Sequence, residues 1–323
     1  MADTTIKDRE GAPKPRARRL GHGHNRRLQA ITGWLFALPF TIGFLLVFVI
    51  PIISAVRSSL YAQKPAGGGL FGGGGLVDTF VGLDNFKAAA SNPDFWAGIG
   101  RVLLFGVIQI PIMILVALFL ALLLDSFMVR RPGPWRLIFF LPYAIPGIIA
   151  AIVWTYLYNP QLSPFAGAFP AIGNQPFFLA PQVILGSMAN MTTWTFTGYN
   201  MLIFLAALQA IPSELTEAAR VDGASSWQVI TRVKIPMVRG AALLAILLSI
   251  VGTVQLFNEP SVMQSAATWM GGDYMPMLMA YNSLMGTISP SGSGPASALS
   301  ILMALVAGAL AAIYALLQTR MSR

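Results

Sequence analysis

Residues able to recognise a ligand are concentrated in two places. The run 187–200, SMANMTTWTFTGYN, puts Asn190, Trp194 and Thr197, with Tyr199 or Asn200 nearby, on about one side of a helix. Farther along, Gln255, Phe257, Asn258 and Glu259 lie close together in sequence. Amides and a carboxylate form hydrogen bonds, and aromatic rings offer flat faces for stacking. The competing reading is interhelical packing, in which Thr and Asn bond across neighbouring helices. Several other chemistries are excluded. The chain has no Cys, so it has no disulfide, no thiolate metal site and no cysteine nucleophile. Its only histidines, His22 and His24, lie in a basic N-terminal arm, which rules out a Ser-His-Asp triad and leaves a metal without a third type of ligand. No Lys both follows Gly and precedes Ser or Thr, so the phosphate-binding P-loop is missing.

The elements that must carry these residues are membrane spans. Of 323 residues 55% are hydrophobic and 10% charged, with mean hydropathy +0.67, whereas a soluble domain carries about 25% charged residues. Apolar segments at about 32–56, 100–124, 137–158, 183–208, 240–260 and 298–318 are each long enough to cross a bilayer. Basic residues cluster at Lys7–Arg27, Arg130–Arg136, Arg220–Arg239 and Arg320–Arg323, and no charge falls between Arg136 and Glu214. Six spans put all four clusters on one side, leaving Arg57, Lys64, Lys87 and Arg101 opposite. The positive-inside rule then makes both termini cytoplasmic. The net charge of +9 is explained by topology, so nucleic acid is not an expected partner and membrane lipid is. The expected organisation is a disordered basic arm over 1–31, a six-span domain over 32–318 and a tail over 319–323. The first apolar run is too long for a cleaved signal peptide. PAGGGLFGGGG at 65–75 reads as a flexible outer stretch, and 159–182 as a turn-rich outer loop. Pro39, Pro51, Pro111, Pro142 and Pro146 predict kinks within or beside spans.

A third constellation lies on the cytoplasmic loop before the last two spans, IPSELTEAARVDGASSWQVITRVKIPMVRG at 211–240. It reads as a short surface helix. Ser213 is placed to cap it, and Glu214 and Glu217 suit its N-terminal dipole. Ala218 and Ala219 leave a small face for close approach, Gly223 permits a sharp turn, and Pro236 marks entry into the next span. A plain amphipathic connector would account for the same pattern.

Glu217-Ala218-Ala219, then Gly223, then Val233-Lys234-Ile235-Pro236 resembles the EAA loop of ABC importer permeases, with Val and Ile where that pattern has Ile and Leu. EAARVDGAS, LFNEP at 256–260 and GPASALS at 294–300 resemble the carbohydrate-uptake, maltose-type branch. The resemblance covers roughly 34–318. It implies an all-α membrane protein of the type I importer permease fold in a bacterial inner membrane. It also implies a second permease subunit, two cytosolic ATPase subunits that hold the ATP and Mg, and an extracellular solute-binding protein. The chain itself would be a non-catalytic transporter subunit without a bound cofactor or metal. Glu217, Ala218, Ala219 and Gly223 carry over as the ATPase-coupling residues, with Arg220 and Asp222 as polar contacts. Asn190, Trp194, Thr197, Phe257, Asn258 and Glu259 become candidate contacts for a sugar, whose hydroxyls and CH faces suit those groups. A neutral di- or oligosaccharide is favoured, because a phosphorylated polyol such as glycerol phosphate would call for a basic residue in the cavity. A stand-alone secondary carrier would need ionisable groups near the midplane, and a membrane enzyme would need a catalytic constellation. Neither is legible.

Overall fold

The computed structural model describes residues 22–65, 75–126, 129–164, 169, 171–174 and 176–321. Most of the basic arm and the centre of the Gly-rich stretch lie outside them. The first unit, ending at Ser54, holds helix α1 (His22–Phe44), a π turn at Leu45–Val49 and the start of α2 (Ile50–Ser59). Helix is already present at His22, inside the segment expected to be arm. The stretch Ile31–Ser59 has mean hydropathy 2.6 and is long enough to span a bilayer.

The second unit begins at Ala55. A hairpin of β1 (Tyr61–Pro65) and β2 (Leu76–Phe80) pairs Tyr61 with Phe80 and Pro65 with Leu76. Helices α3 (Asp84–Ser91) and α4 (Pro93–Asp125) follow. Asn92 caps α4 by accepting from the Asp94 amide at 2.8 Å, ahead of a proline that needs no donor partner. At 33 residues α4 is about 50 Å long, enough to cross a bilayer and project from it. Next come α5 (Pro132–Ala144) and α6 (Gly147–Leu157), then α7 (Ile184–Gln209). The cytoplasmic loop supplies α8 (Ser213–Val221), α9 (Ser226–Val229), a π turn at Ile230–Lys234 and α10 (Ile235–Met237). The chain ends in α11 (Arg239–Val254), α12 (Asn258–Ala266), α13 (Pro276–Met285) and α14 (Ser293–Met321).

Two expected spans are not continuous helices. The segment 137–158 breaks at Ile145, where α5 and α6 meet at 93°. Pro146 drives the residue before it out of helical space, and Ile145 has ψ 130°. The segment 240–260 also breaks. Helix α11 stops at Val254, and α12 starts afresh at Asn258. Counting bent pairs as single spans, the described residues offer up to six crossings.

Helix α4 is the spine of this unit and packs most extensively on α7. One core cluster, toward the start of α4, is rich in methionine: Met188, Met191, Met263, Met275 and Met279 surround Phe95 and Leu278. Unbranched thioethers fill irregular space between helices that meet at breaks. A second cluster joins Ala117, Ala121 and Leu124 of α4 to Phe204 and Leu208 of α7 and to Val238. At the outer end, Arg101 Nη1 donates to the Tyr274 carbonyl at 2.8 Å, and its guanidinium lies 4.3 Å from that ring's centroid. Burial pushes the Tyr274 phenol up, opposed by the Arg101 charge. At the opposite end Lys234 Nζ meets Asp125 Oδ2 at 2.6 Å. This contact places the basic clusters around Arg130 and Lys234 at one end, as the charge pattern predicts.

Candidate functional site

No residue of helix α8 is buried: Glu217, Ala218, Arg220 and the capping Asp222 are exposed, while Thr216 and Ala219 are partly covered. Its start differs from expectation. Pro212 holds the cap position, and Ser213 is already the first helical residue, so its hydroxyl caps nothing. Pro212 precedes the helix with extended ψ of 132°, and the turn continues where Thr216 Oγ1 donates to the Ser213 carbonyl at 2.9 Å. Its end follows from glycine. The Gly223 amide donates to the Arg220 carbonyl at 3.0 Å and the Ala224 amide to the Ala219 carbonyl at 2.9 Å, with Gly223 at φ +86°. That pair of bonds is the Schellman closure, which needs a left-handed residue just past the cap. The next helix, α9, has a reciprocal capping box between Ser225 and Gln228. The sequence reading missed three apolar side chains on this loop. Leu215 is 46%, Val221 88% and Trp227 71% exposed. The available signal was a Trp and a Val in a polar loop, since large apolar groups left exposed together mark an interaction surface.

The two candidate ligand groups flank α6, which packs on both α7 and α12. On the α7 side, Asn190 Nδ2 donates to Tyr158 Oη at 2.9 Å, and that hydroxyl donates to the Ser187 carbonyl at 3.0 Å. Trp194 meets Trp154 edge to face, with centroids 5.7 Å apart, and Tyr158 stacks on Phe178 at 4.8 Å. A cavity of about 550 Å³ lies here, lined by Trp154, Tyr158, Phe169, Phe178, Val183, Gly186, Ser187 and Asn190. The aromatic wall of Trp154, Tyr158 and Phe178 was not singled out in the sequence, although WTYLY at 154–158 and PFF at 176–178 are aromatic runs without charge. Thr197 is not brought to this cavity. It is 8% exposed, and its hydroxyl donates to the Thr193 carbonyl at 2.5 Å, one turn back in the same helix. Asn200 is buried likewise and donates to the Phe196 carbonyl at 3.0 Å.

On the α12 side, the helix break changes the role of LFNEP. Phe257 is the cap residue of α12, and Asn258 and Glu259 form its first turn. Glu259 therefore begins a helix rather than ending one, in the position where the dipole favours a carboxylate. It is also 6% exposed, so it does not face open loop water. Asn258 lies against Gly147 at the start of α6, where a β-carbon would come within 2.5 Å of its Nδ2. The Phe257 ring is engaged edge to face by Tyr281 at 5.1 Å. A second cavity of about 400 Å³ separates α6 from α12, with Thr155, Tyr156, Asn159 and Ser265 among its lining. The Thr155 hydroxyl is buried there without a hydrogen-bond partner. The described residues contain no cluster of His, Asp or Glu that could hold a metal.

The chain can now be set beside known proteins. The family model described as "binding-protein-dependent transport system inner membrane component" matches residues 109–323. The lactose transport system permease protein of Rhizobium radiobacter is 32% identical over 243 residues, which cover 72% of this chain and 76% of that one. The sn-glycerol-3-phosphate transport system permease protein of Pectobacterium atrosepticum is 31% identical over 180 residues, 55% of this chain and 60% of that one. A chain in the crystal structure of a bacterial alginate ABC transporter with its pentasaccharide-bound periplasmic protein has the same fold, with TM-score 0.74 at 19% identity over 93% of this chain and 98% of that one. With more than half its length matched by the family model and its helices arranged as in a solved transporter, this chain belongs to the binding-protein-dependent transport system inner membrane components, as a multi-pass permease subunit.

Proposed function

We propose that this permease forms half of the translocation pathway of an ATP-driven sugar importer, driven by a cytosolic ATPase through α8. The observation that carries this reading is α8 itself, a helix with no buried residue, closed by Gly223 at the cytoplasmic end. Glu217, Ala218, Ala219, Arg220, Asp222 and Gly223 form the surface that seats in the ATPase, with Leu215, Val221 and Trp227 adding apolar contact. A second permease, two ATPase subunits and an extracellular solute-binding protein complete the machine. ATP and Mg are held by the ATPase, and this chain carries no catalytic residue. In support of a sugar, relatives are named for lactose transport and a structural neighbour for alginate. A cavity walled by aromatics and one amide suits stacking under CH faces with hydrogen bonds at the edge. A phosphate group would call for Arg or Lys, and neither cavity beside α6 is lined by one. That favours a neutral di- or oligosaccharide over the glycerol phosphate of the second relative. Reconstitution in liposomes tests the assignment. The purified chain alone is expected neither to hydrolyse ATP nor to take up sugar, whereas the full set of subunits takes up neutral oligosaccharide in preference to glycerol 3-phosphate. Uptake by the chain alone, or preference for the phosphate, would overturn it.

Asn190, which lines the larger cavity, and Trp194, Asn258 and Glu259, which lie beside α6 outside both cavity linings, are the sugar contacts in this proposal, with Phe257 and Thr197 behind them holding neighbouring side chains and helix turns. Glu259→Gln preserves shape and removes one acceptor's charge. A hydrogen bond to a charged group is worth about 1.5–3 kcal/mol, and a neutral one about 1. Transport at limiting sugar is therefore expected to fall about tenfold or less, at about 1.4 kcal/mol per tenfold. ATPase assembly is unaffected, because α12 lies away from α8. Wild-type transport by both Glu259→Gln and Glu259→Ala would leave the residue with only its part in starting α12.

A further inference from the structure

The ion pairs Lys87–Asp84 and Lys234–Asp125 differ in kind. Lys87 and Asp84 are neighbours on α3, 3.6 Å apart, with side chains 77% and 71% exposed. Such a pair contributes little. Lys234 and Asp125 are far apart in sequence, 2.6 Å apart in space, and only 20% and 16% exposed. Short contacts between charged partners, largely withdrawn from water, are the strong and directional ones, and each charge is costly to leave there without the other.

The positions of the pair give it meaning. Asp125 is the last residue of α4, and Leu124 beside it belongs to the core cluster shared with Leu208 of α7 and Val238. Lys234 is the last residue of the π turn that follows α9. Just beyond it the chain bends by 59° between Ser226–Met237 and Arg239–Val254. A π turn next to a bend is a place where a helix yields, because its hydrogen-bond ladder is already out of register. Motion imposed on α8 and α9 could be spent in that bend before reaching the spans. The ion pair bypasses it by joining the near side of the bend directly to α4.

We propose that Asp125 and Lys234 are positioning residues for coupling: their ion pair fastens the exit of the EAA segment to the end of α4, so that displacement of α8 is delivered to α4 and the α7 packed on it. Neither residue touches sugar or nucleotide. This proposal rests on the reading of α8 as the ATPase contact. A purely structural role would lower the amount of complex, whereas a coupling role changes the sugar moved per ATP hydrolysed.

The test uses the full importer in liposomes. ATP-dependent uptake by the wild type checks the underlying reading first, and its absence would count against that reading rather than against the pair. Asp125→Asn and Lys234→Met are expected to assemble with the ATPase and hydrolyse ATP, while sugar moved per ATP falls about tenfold. The exchange Asp125→Lys with Lys234→Asp is expected to recover it to within about twofold. An unchanged ratio in the single variants, or an exchange that assembles without recovering it, overturns the proposal. A second measurement leaves the pair intact and so stands even if the neutral variants fail to accumulate. The chain has no native Cys, so cysteines placed at Ser126 and Val233 can be joined by a short bismaleimide. Crosslinking is expected to proceed equally without nucleotide and with ATP trapped, because the two segments move as one body. Crosslinking in only one of those states overturns the proposal.

Discussion

Glu217→Lys and Gly223→Pro are expected to cut uptake severely while the permease still accumulates in the membrane. Both positions are exposed on the cytoplasmic loop, so neither change opens a cavity or strands a polar group in the core. The damage is local to α8. Gly223 has φ +86° and donates from its amide to Arg220 at 3.0 Å. Proline fixes φ near −65° and has no amide hydrogen, so both requirements of the closure fail together. Without it the helix frays from Ala219 onward, taking Arg220 and Asp222 out of position. Glu217→Lys keeps the helix but reverses a charge at its exposed middle, on the face proposed to seat in the ATPase. A fall in uptake of about a hundredfold is expected for each, equivalent to about 2.8 kcal/mol at about 1.4 per tenfold. Gly223→Ala, which keeps the amide and must only adopt a left-handed conformation costing about 1–2 kcal/mol, is expected to lose about tenfold. The check is parallel measurement of membrane-inserted chain, co-purifying ATPase and uptake. Loss of the chain from the membrane would place Glu217 and Gly223 in folding instead.

What the sequence disclosed about these parts depended on how local the cause was. Gly223 was legible because a helix closure is decided within six residues and only glycine fits its left-handed position cheaply. The spans were legible because about 20 apolar residues have few other places to go. The break before Asn258 was not, although it decides what Glu259 does. Nothing in VQLFNEP forbids a helix until Pro260, and proline is well tolerated in a first helical turn, so the same letters suit an end or a beginning. The break at Ile145 was half legible: Pro142 and Pro146 announce a kink, but Pro142 sits inside α5 and only Pro146 separates two helices. The hairpin at Tyr61–Phe80 escaped because its strands are short and its connection is a glycine tract that carries no turn signature. The burial of Thr197 against its own helix was not legible, because helical spacing gives the side on which a residue lies and not what packs there. The Asp125–Lys234 pair joins residues too distant in sequence for any periodicity to link them.

Close packing between α5 and α7 is another feature that spacing cannot reveal, and it carries the largest expected effect on stability. Gly198 of α7 is an unremarkable glycine in a helix where alanine would ordinarily be preferred by about 1 kcal/mol. In the folded chain it lies against the backbone of α5. A β-carbon there would overlap the carbonyl oxygen of Phe139 and crowd Phe140 Cα at 2.9 Å. Small residues allow membrane helices to approach in this way, and van der Waals contact across the approach replaces the hydrophobic drive that lipid cannot supply. The obstructing atoms belong to backbone, so no rotamer change makes room. Gly198→Ala must force α5 and α7 apart, along with the Tyr143–Tyr199 stack at 4.8 Å that bridges them. Overpacking against side chains costs about 1–3 kcal/mol, and against backbone the cost should exceed about 3. Gly198→Ala is therefore expected to reduce folded chain to a small fraction of the wild-type amount and to lower its thermal midpoint in detergent. Gly252 of α11 supplies the contrast. Nothing lies within 4 Å of its β-carbon position, so Gly252→Ala is expected to leave the midpoint unchanged or to raise it by helix propensity alone. If Gly198→Ala instead accumulates and melts like Gly252→Ala, the two helices do not meet backbone to backbone. The bend of 93° that turns α5 into α6 would then need another anchor, and so would the aromatic wall that α6 presents to the larger cavity.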